Sequence, residues 1–348
     1  MAWARMGIVK QAGLIVWLIG IATVIGLIMW SGIDAVGHAV ASVGWGIALV
    51  VLVRVATVSL AGAGWWLLFA PVRRPSLQAC VLLRFVREGV NVLLPAAQIG
   101  GDLIGARLLA MRGVAGSLAA ASVIVDVLLQ ATTQFLFACL GLAILVALDA
   151  GDTLAHTAAV ALGVAALMLI GFYLAQRQAG QRILRWALSR LTGDRKWRVL
   201  GTIDAVYEAL AAFYSARRRL VASVVVHLAG WLVGAAEVLV VFACMGNPIG
   251  VAEALVIESL LHAVRGAAFA IPGALGAQEG GLVLLCAMFG IPPEQAIALS
   301  LVKRAADLVL GVPGLLGWQM LEWERLAPIW SDGDGLPQKA AEPRPPDP

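Results

Sequence analysis

Residues 220–244 read LVASVVVHLAGWLVGAAEVLVVFAC, an apolar run interrupted only by a few small or polar side chains and by Glu237. Coiled as a helix, roughly 20 such residues cross the ~30 Å of a bilayer's hydrocarbon core. No water is present there to satisfy a free backbone N–H or C=O, so the run must bond within itself. Comparable runs lie at 12–30, 45–69, 117–148, 154–175 and 295–320. The chain is 61% hydrophobic and 13% charged, where soluble domains hold roughly 45–50% apolar and 25% charged residues. The expected fold is an all-α polytopic membrane protein with about six full transmembrane helices. Arg5 and Lys10 before the first run resemble the start of a signal peptide, but the run is long and no small-residue cleavage site follows, which predicts a retained anchor.

Cytoplasmic loops accumulate Lys and Arg, which assigns a side to each connection. Arg5 and Lys10 place the N-terminus inside, and the 31–43 connection, without Lys or Arg, lies outside. Arg73 and Arg74 return the chain to the cytoplasm; Asp149 and Asp152 mark an outer loop. Ten of the 25 Lys and Arg fall within 176–219, which is therefore inside, and the C-terminus is inside as well.

Two hydrophobic segments, 78–113 and 251–291, are broken by Pro and Gly. The charge pattern holds only if neither crosses completely, which predicts two re-entrant helical hairpins whose irregular backbone is shielded by protein or a watery cavity. Laid over each other without a gap, they coincide in detail. Pro95 falls on Pro272, Asp102 on Glu279, Leu108 on Leu285, and AMRG at 110–113 on AMFG at 287–290. Seven residues before each proline stands a charge, Glu88 or Arg265. Pro95, Gly100 and Gly101 form one break; Pro272, Gly273, Gly276, Gly280 and Gly281 form the other. Three spans separate the hairpins, so they enter from opposite faces as an inverted repeat, an arrangement that places transporter sites near the midplane.

Polar side chains recur at helical spacing inside these segments. Ser122, Asp126, Gln130, Thr133 and Gln134 share a face; Arg84, Arg87, Glu88 and Asn91 share another; Glu258, His262 and Arg265 form a third. Lys303, Arg304 and Asp307 are spaced for i,i+3 and i,i+4 ion pairs. A charge at the bilayer centre costs at least about 2.5 kcal/mol on insertion scales, so this many imply a shared polar interior. Each also has a plain structural reading. Arg84 with Glu88, and Arg304 with Asp307, can simply neutralise each other. Gln130 and Gln134 can join helices, Gly230 and Gly234 form a GxxxG packing pair, and His227, near Trp231 and Glu237, reads as a helix contact.

Several chemistries lose support. Cys80, Cys139, Cys244 and Cys286 are isolated, no HExxH cluster or Walker GxxxxGK[ST] occurs, and no cofactor, metal or nucleic-acid partner is expected. The 176–219 segment mixes Arg182, Arg185, Arg190, Lys196 and Arg198 with Trp186, Leu188, Leu191, Trp197 and Ile203. It reads as a basic amphipathic helix in the headgroup plane, or as ordinary positive-inside bias. Residues 1–325 form one membrane domain, and 326–348, rich in Pro and polar residues, a disordered cytoplasmic tail.

REGVNVLLPAAQIGGDLIGARLLAMRGV at 87–114 and IPGALGAQEGGLVLLCAMFGIPPEQAIALSLVKRAADLVLGVPGLLGWQ at 271–319 resemble the flippase-like membrane domain of lysylphosphatidylglycerol synthases. Within that superfamily they are most similar to the hopanoid-biosynthesis-associated membrane proteins, through NVLLP, GALGAQEGG and GVPGLLGWQ. The resemblance implies a multi-pass bacterial inner-membrane protein that moves a lipid or lipid intermediate between leaflets, or hands it to a partner enzyme of lipid or hopanoid biosynthesis. It does not extend to the synthases' aminoacyl-transferase domain: the longest extramembrane stretch, 176–219, is shorter than the usual 50–250 residues of a domain.

A non-enzymatic lipid transporter is therefore the leading expectation. Arg84, Arg87, Arg265 and Arg304 are candidates to meet a headgroup. Glu88, Asp102, Asp126, Glu279 and Asp307 are candidates to hold those arginines or carry a proton, and Asn91, Gln130 and Glu258 complete the groove. Asp102 and Glu279 rank first because each follows its break at the same spacing. The rival readings are a membrane-embedded lipid-modifying enzyme with Glu279 or Asp126 as general base, and a scaffold for biosynthetic enzymes.

Overall fold

The computed structural model describes residues 33–70, 74–93, 100–148, 152–177, 181–182, 196–268 and 271–331, with Ile25 and Met29. Among them are eleven α-helices: α1 (Ile33–Val43), α2 (Gly46–Leu67), α3 (Leu77–Leu93), α4 (Gly100–Met111), α5 (Gly116–Ala147), α6 (Asp152–Ala175), α7 (Lys196–Ser215), α8 (Arg217–Cys244), α9 (Val251–Ala267), α10 (Ala277–Ala287) and α11 (Pro293–Ser331), with a 3-10 turn at Pro272–Ala274. The protein is all-α and polytopic. By length and composition α2, α5 and α8 are each able to cross a membrane; α11 is longer but carries Lys303, Arg304 and Asp307 near its middle. Leu167 and Met168 on α6 are 70% and 67% exposed, as expected of a helix facing lipid.

Five of the six expected spans coincide with α2, α5, α6, α8 and α11. The 12–30 span, Arg5 and Lys10 lie outside the described residues apart from the helical Ile25 and Met29. Three boundaries change. The supposed outer loop at 31–43 is largely α1, which packs on α11 and buries Val36 and Val43. Helix α11 runs past the expected end of the membrane domain to Ser331; 332–348 lie outside the described residues. The basic segment yields α7, whose apolar side is not simply laid on a membrane surface. It packs against α5 and buries Leu210 and Phe213, the latter edge-on to Phe69 at 5.9 Å between ring centroids. Arg185, Trp186, Leu188, Arg190 and Leu191 lie outside the described residues.

Both broken segments are helix–break–helix units, α3 with α4 and α9 with α10, each packed on itself. Helices α3 and α9 are both 17 residues long. The offset of 177 that superposes Pro95 on Pro272 also superposes the starts of α4 and α10, Gly100 and Ala277, and of α5 and α11, Gly116 and Pro293. The packing obeys the same exchange. Helix α3 lies along α11, the helix after the other hairpin; α9 lies along α5, the helix after the first. Helix α2 packs on α8, α2 on α3 as α8 on α9, and α5 on α8 as α11 on α2. Two four-helix units, α2–α5 and α8–α11, thus embrace with near two-fold symmetry.

Small residues set the closest crossings. A Cβ on Gly89 would lie 2.6 Å from the Gly311 carbonyl oxygen, and one on Gly314 would lie 2.5 Å from that of Phe85, so α3 and α11 touch backbone to backbone. Gly230 and Gly234 face Thr57 and Leu60 of α2, which makes the GxxxG pair an internal packing device. Gly89→Ala is expected to destabilise the protein by about 1–3 kcal/mol through overpacking. Gly163→Ala, where a Cβ meets nothing within 4 Å, should leave the thermal midpoint in detergent unchanged or slightly raised. Equal midpoints for both variants would show that the crossing is loose.

Candidate functional site

Two buried ionic centres each lie mainly within one unit and are completed by one side chain of the other, His227 for the first and Arg54 for the second. In the first, Arg87 of α3 is fully buried and spreads its guanidinium over two carboxylates. Nε and Nη2 donate to Asp102 Oδ1 at 3.0 and 2.7 Å, and Nη1 donates to Asp126 Oδ2 at 2.7 Å. The stem lies in a trough cut by α4, where a Cβ on Gly101 would strike the Arg87 carbonyl oxygen and one on Gly105 would lie 2.6 Å from the side-chain methylenes. The Trp65 ring covers the guanidinium at 4.8 Å. Asp126 also accepts from Gln130 at 2.7 Å and faces His227 Nε2 at 3.2 Å; Gly64 leaves room for that imidazole.

In the second centre, Lys303 Nζ is fully buried and donates to Glu237 Oε2 at 2.7 Å and to both Glu258 oxygens at 2.9 Å. Arg54 donates to Glu237 at 2.7 Å and reaches Asp307 at 3.1 Å, and His262 Nε2 stands 3.1 Å from Glu258. Asp126 and Lys303 are separated by the repeat offset. Corresponding positions of α5 and α11 thus hold a buried acid and a buried amine, each gripped by the neighbouring helices.

The expected pairs within α11 do not form. Lys303 turns to Glu237 and Glu258, Asp307 to Arg54, and Arg304 to Glu279. Carboxylates on packed neighbours offer buried, multidentate contacts, whereas an i,i+3 or i,i+4 pair on one helix adds only about 0.2–0.5 kcal/mol. Arg84 and Glu88 do pair within α3, at 3.3 Å.

Glu279 sits at the second break, where Gly273 and Gly276 take φ of 61° and 80°. Its carboxylate accepts from the Gly276 N–H at 2.8 Å, Ser300 at 2.8 Å and Arg304 Nε at 2.6 Å, while Arg304 Nη1 donates to the Gly273 carbonyl at 3.1 Å. Glu279 and Arg304 therefore clamp the break, and neither stands on the walls of the two polar cavities described below. Gly281 packs on Val264, whereas a Cβ on Gly280 meets nothing within 4 Å. At the described edge of the first break, Asn91 Oδ1 accepts from the Gly101 N–H at 2.8 Å. Pro95 lies outside the described residues, as does every other residue from 94 to 99.

Two polar cavities, of about 200 and 240 Å³, adjoin these centres and share Arg84, Glu88, Gln130, Gln134 and Arg265 as walls. The first adds Arg54, His227, Trp231, Glu237, Glu258 and His262; the second adds Asn91, Asp102 and Gly273. Gln134 donates to the His262 carbonyl at 2.7 Å and ties α5 to α9. It also lines a third, apolar pocket of about 610 Å³ between α5, α6 and α9, walled by Phe135, Leu162, Met168 and Leu260 among others. Ala131 and Gly266 are further shared walls. A polar cleft therefore opens beside an apolar pocket.

Of the anticipated groove residues, Arg84, Glu88, Asn91, Asp102, Gln130, Glu258 and Arg265 line the cleft, while Arg87, Asp126 and Asp307 stand behind it. Sequence reasoning missed Arg54, Glu237 and Lys303 as site residues and read His227 as a helix contact only. A lone arginine in the middle of an apolar span was the available signal for Arg54. Among the described residues no three His, Cys, Asp or Glu are placed to hold a metal ion.

The sequence profile of the lysylphosphatidylglycerol synthase TM region matches residues 17–314. The chain belongs to that family of multi-pass membrane proteins. A UPF0104 membrane protein of Methanothermobacter thermautotrophicus is 25% identical over 234 residues, covering 63% of this chain and 68% of the relative. No solved structure matches the chain.

Proposed function

We propose that the protein moves a lipid, a hopanoid or its precursor or a phospholipid, between leaflets of a bacterial inner membrane or delivers it to a partner enzyme, without altering it chemically. The observation that carries this reading is the polar cleft joined through Gln134 to the apolar pocket beside α6. A lipid is the ligand class with both needs: its headgroup occupies the cleft while its chains stay among Phe135, Met168 and Leu260. The combined space of about 1,050 Å³ sits at the upper edge of the roughly 300–1,000 Å³ usual for ligand sites. The hairpins supply the only kind of irregular backbone tolerated at membrane depth, one shielded by protein or lining a cavity. The Lys and Arg distribution favours cytoplasmic N- and C-termini.

The test is a leaflet-distribution assay in proteoliposomes with fluorescent lipids, comparing wild type with Arg265→Ala. Redistribution of unaltered lipid by wild type, reduced at least about tenfold (about 1.4 kcal/mol) in the variant, is the expected result. Appearance of a chemically new lipid would replace transport by catalysis. No redistribution and no product would leave the scaffold reading.

A further inference from the structure

Arg84 and Arg265 differ from every other arginine of the two ionic centres. Arg87 and Arg54 each make contacts of 3.1 Å or shorter to two carboxylates, and Arg304 grips Glu279 through two nitrogens. By contrast, Arg84 reaches Glu88 at 3.3 Å and Asp126 at 3.7 Å, and Arg265 reaches Asp307 at 3.8 Å. The two side chains are only 13% and 15% exposed. The buried Nε of Arg84 and the buried Nη1 of Arg265 have no hydrogen-bond partner among the described residues; neither has Arg54 Nε, but the other two nitrogens of Arg54 each hold a carboxylate. A buried donor left without an acceptor loses its hydration with nothing in return, and the loss is larger when the donor is charged. One comes from each hairpin, α3 and α9, and both stand on the walls of both polar cavities.

Resting on the lipid reading above, we propose that Arg84 and Arg265 together form an oxyanion subsite for the phosphate of a lipid headgroup. A phosphate offers several oxygens to two guanidinium forks on different walls, whereas a hydroxyl brings fewer acceptors and no charge. The carboxylates nearby do not fill this role. Glu237 and Glu258 are held by Lys303, and Asp102 by Arg87. Glu88, with its side chain 31% exposed, accepts among the described residues only the 3.3 Å bond from Arg84 and is placed to take a hydroxyl or ammonium of the same headgroup. The preference comes from uncommitted donors, because the carboxylates of the two centres already offset their cations. A headgroup carrying both phosphate and hydrogen-bond donors fits this wall better than an uncharged polycyclic alcohol.

The experiment measures binding to the full chain in detergent with three probes: dioctanoyl phosphatidic acid, dioctanoylglycerol and inorganic phosphate. For wild type, phosphatidic acid should bind at least about tenfold tighter than dioctanoylglycerol, which has the same tails (tenfold being 1.4 kcal/mol). Arg84→Gln and Arg265→Gln should each erase that advantage. The lysine variants should restore only part of it. Equal binding of both lipids to wild type overturns the oxyanion subsite and leaves the lipid reading standing. That comparison needs no variant, so it holds even if the glutamine chains misfold. An advantage that survives in correctly folded glutamine variants likewise overturns the assignment to these arginines. Phosphate binding as tight as phosphatidic acid, and lost in the variants, keeps the oxyanion subsite but removes the lipid from it. Binding of no probe overturns both.

Discussion

Lys303→Met is expected to produce a chain that melts about 4–7 °C below wild type, or one that fails to leave the membrane as a monodisperse species. The ammonium is wholly buried and holds Glu237 and Glu258 at 2.7–2.9 Å. Methionine fills much of the same volume, so the loss is electrostatic. Removing one partner of a buried ionic cluster costs about 3–5 kcal/mol because the remaining charge keeps its desolvation penalty. Arg54 still reaches Glu237 and His262 still faces Glu258, but neither replaces three short bonds. The second substitution Glu258→Gln should recover part of the loss, since it removes the stranded charge; a double-mutant cycle on thermal midpoints measures that coupling. A single variant melting within about 1 °C of wild type, under about 1 kcal/mol at this size, would mean that the ammonium is not holding the centre together.

Arg87→Leu should be comparably severe, at about 3–5 kcal/mol, because it strands Asp102 and Asp126. Arg87→Lys distinguishes charge from shape. The arginine fork addresses Asp102 through Nε and Nη2 and Asp126 through Nη1, and a single ammonium cannot reproduce that spread. Lysine is therefore expected to recover less than half of the lost stability. Full recovery, read by heating the detergent-solubilised protein and following its elution, would show that a point charge is sufficient.

These residues also show where sequence reasoning works. Apolar runs announced α2, α5, α6, α8 and α11 because hydrocarbon permits little else. The hairpins were legible because Pro and Gly stand where a helix should continue, and their register emerged from AMRG over AMFG. The ionic partners were not legible. Arg54 and Glu237 are 183 positions apart, and Lys303 lies 45 from Glu258; nothing local encodes those meetings. Local spacing misled for Lys303, Arg304 and Asp307, because an i,i+3 or i,i+4 geometry is available on any helix and loses to better-shielded partners on neighbouring helices. Asp102 and Glu279 ranked first on repeat symmetry, yet among the described residues Asp102 lines the cleft while holding Arg87, whereas Glu279 stays off it and clamps its break with Arg304. Helix α1 escaped because its 11 residues are too short to register as a span.

Helix α6 packs chiefly on α5 and otherwise turns apolar side chains outward, yet it forms one side of the apolar pocket. Helices of both the α2–α5 and the α8–α11 units wall the polar cleft. On the transport reading proposed above, the lightly tethered wall should give way to tails of varied length and saturation, and selectivity should follow changes to the charged end of a lipid far more than changes to its oil.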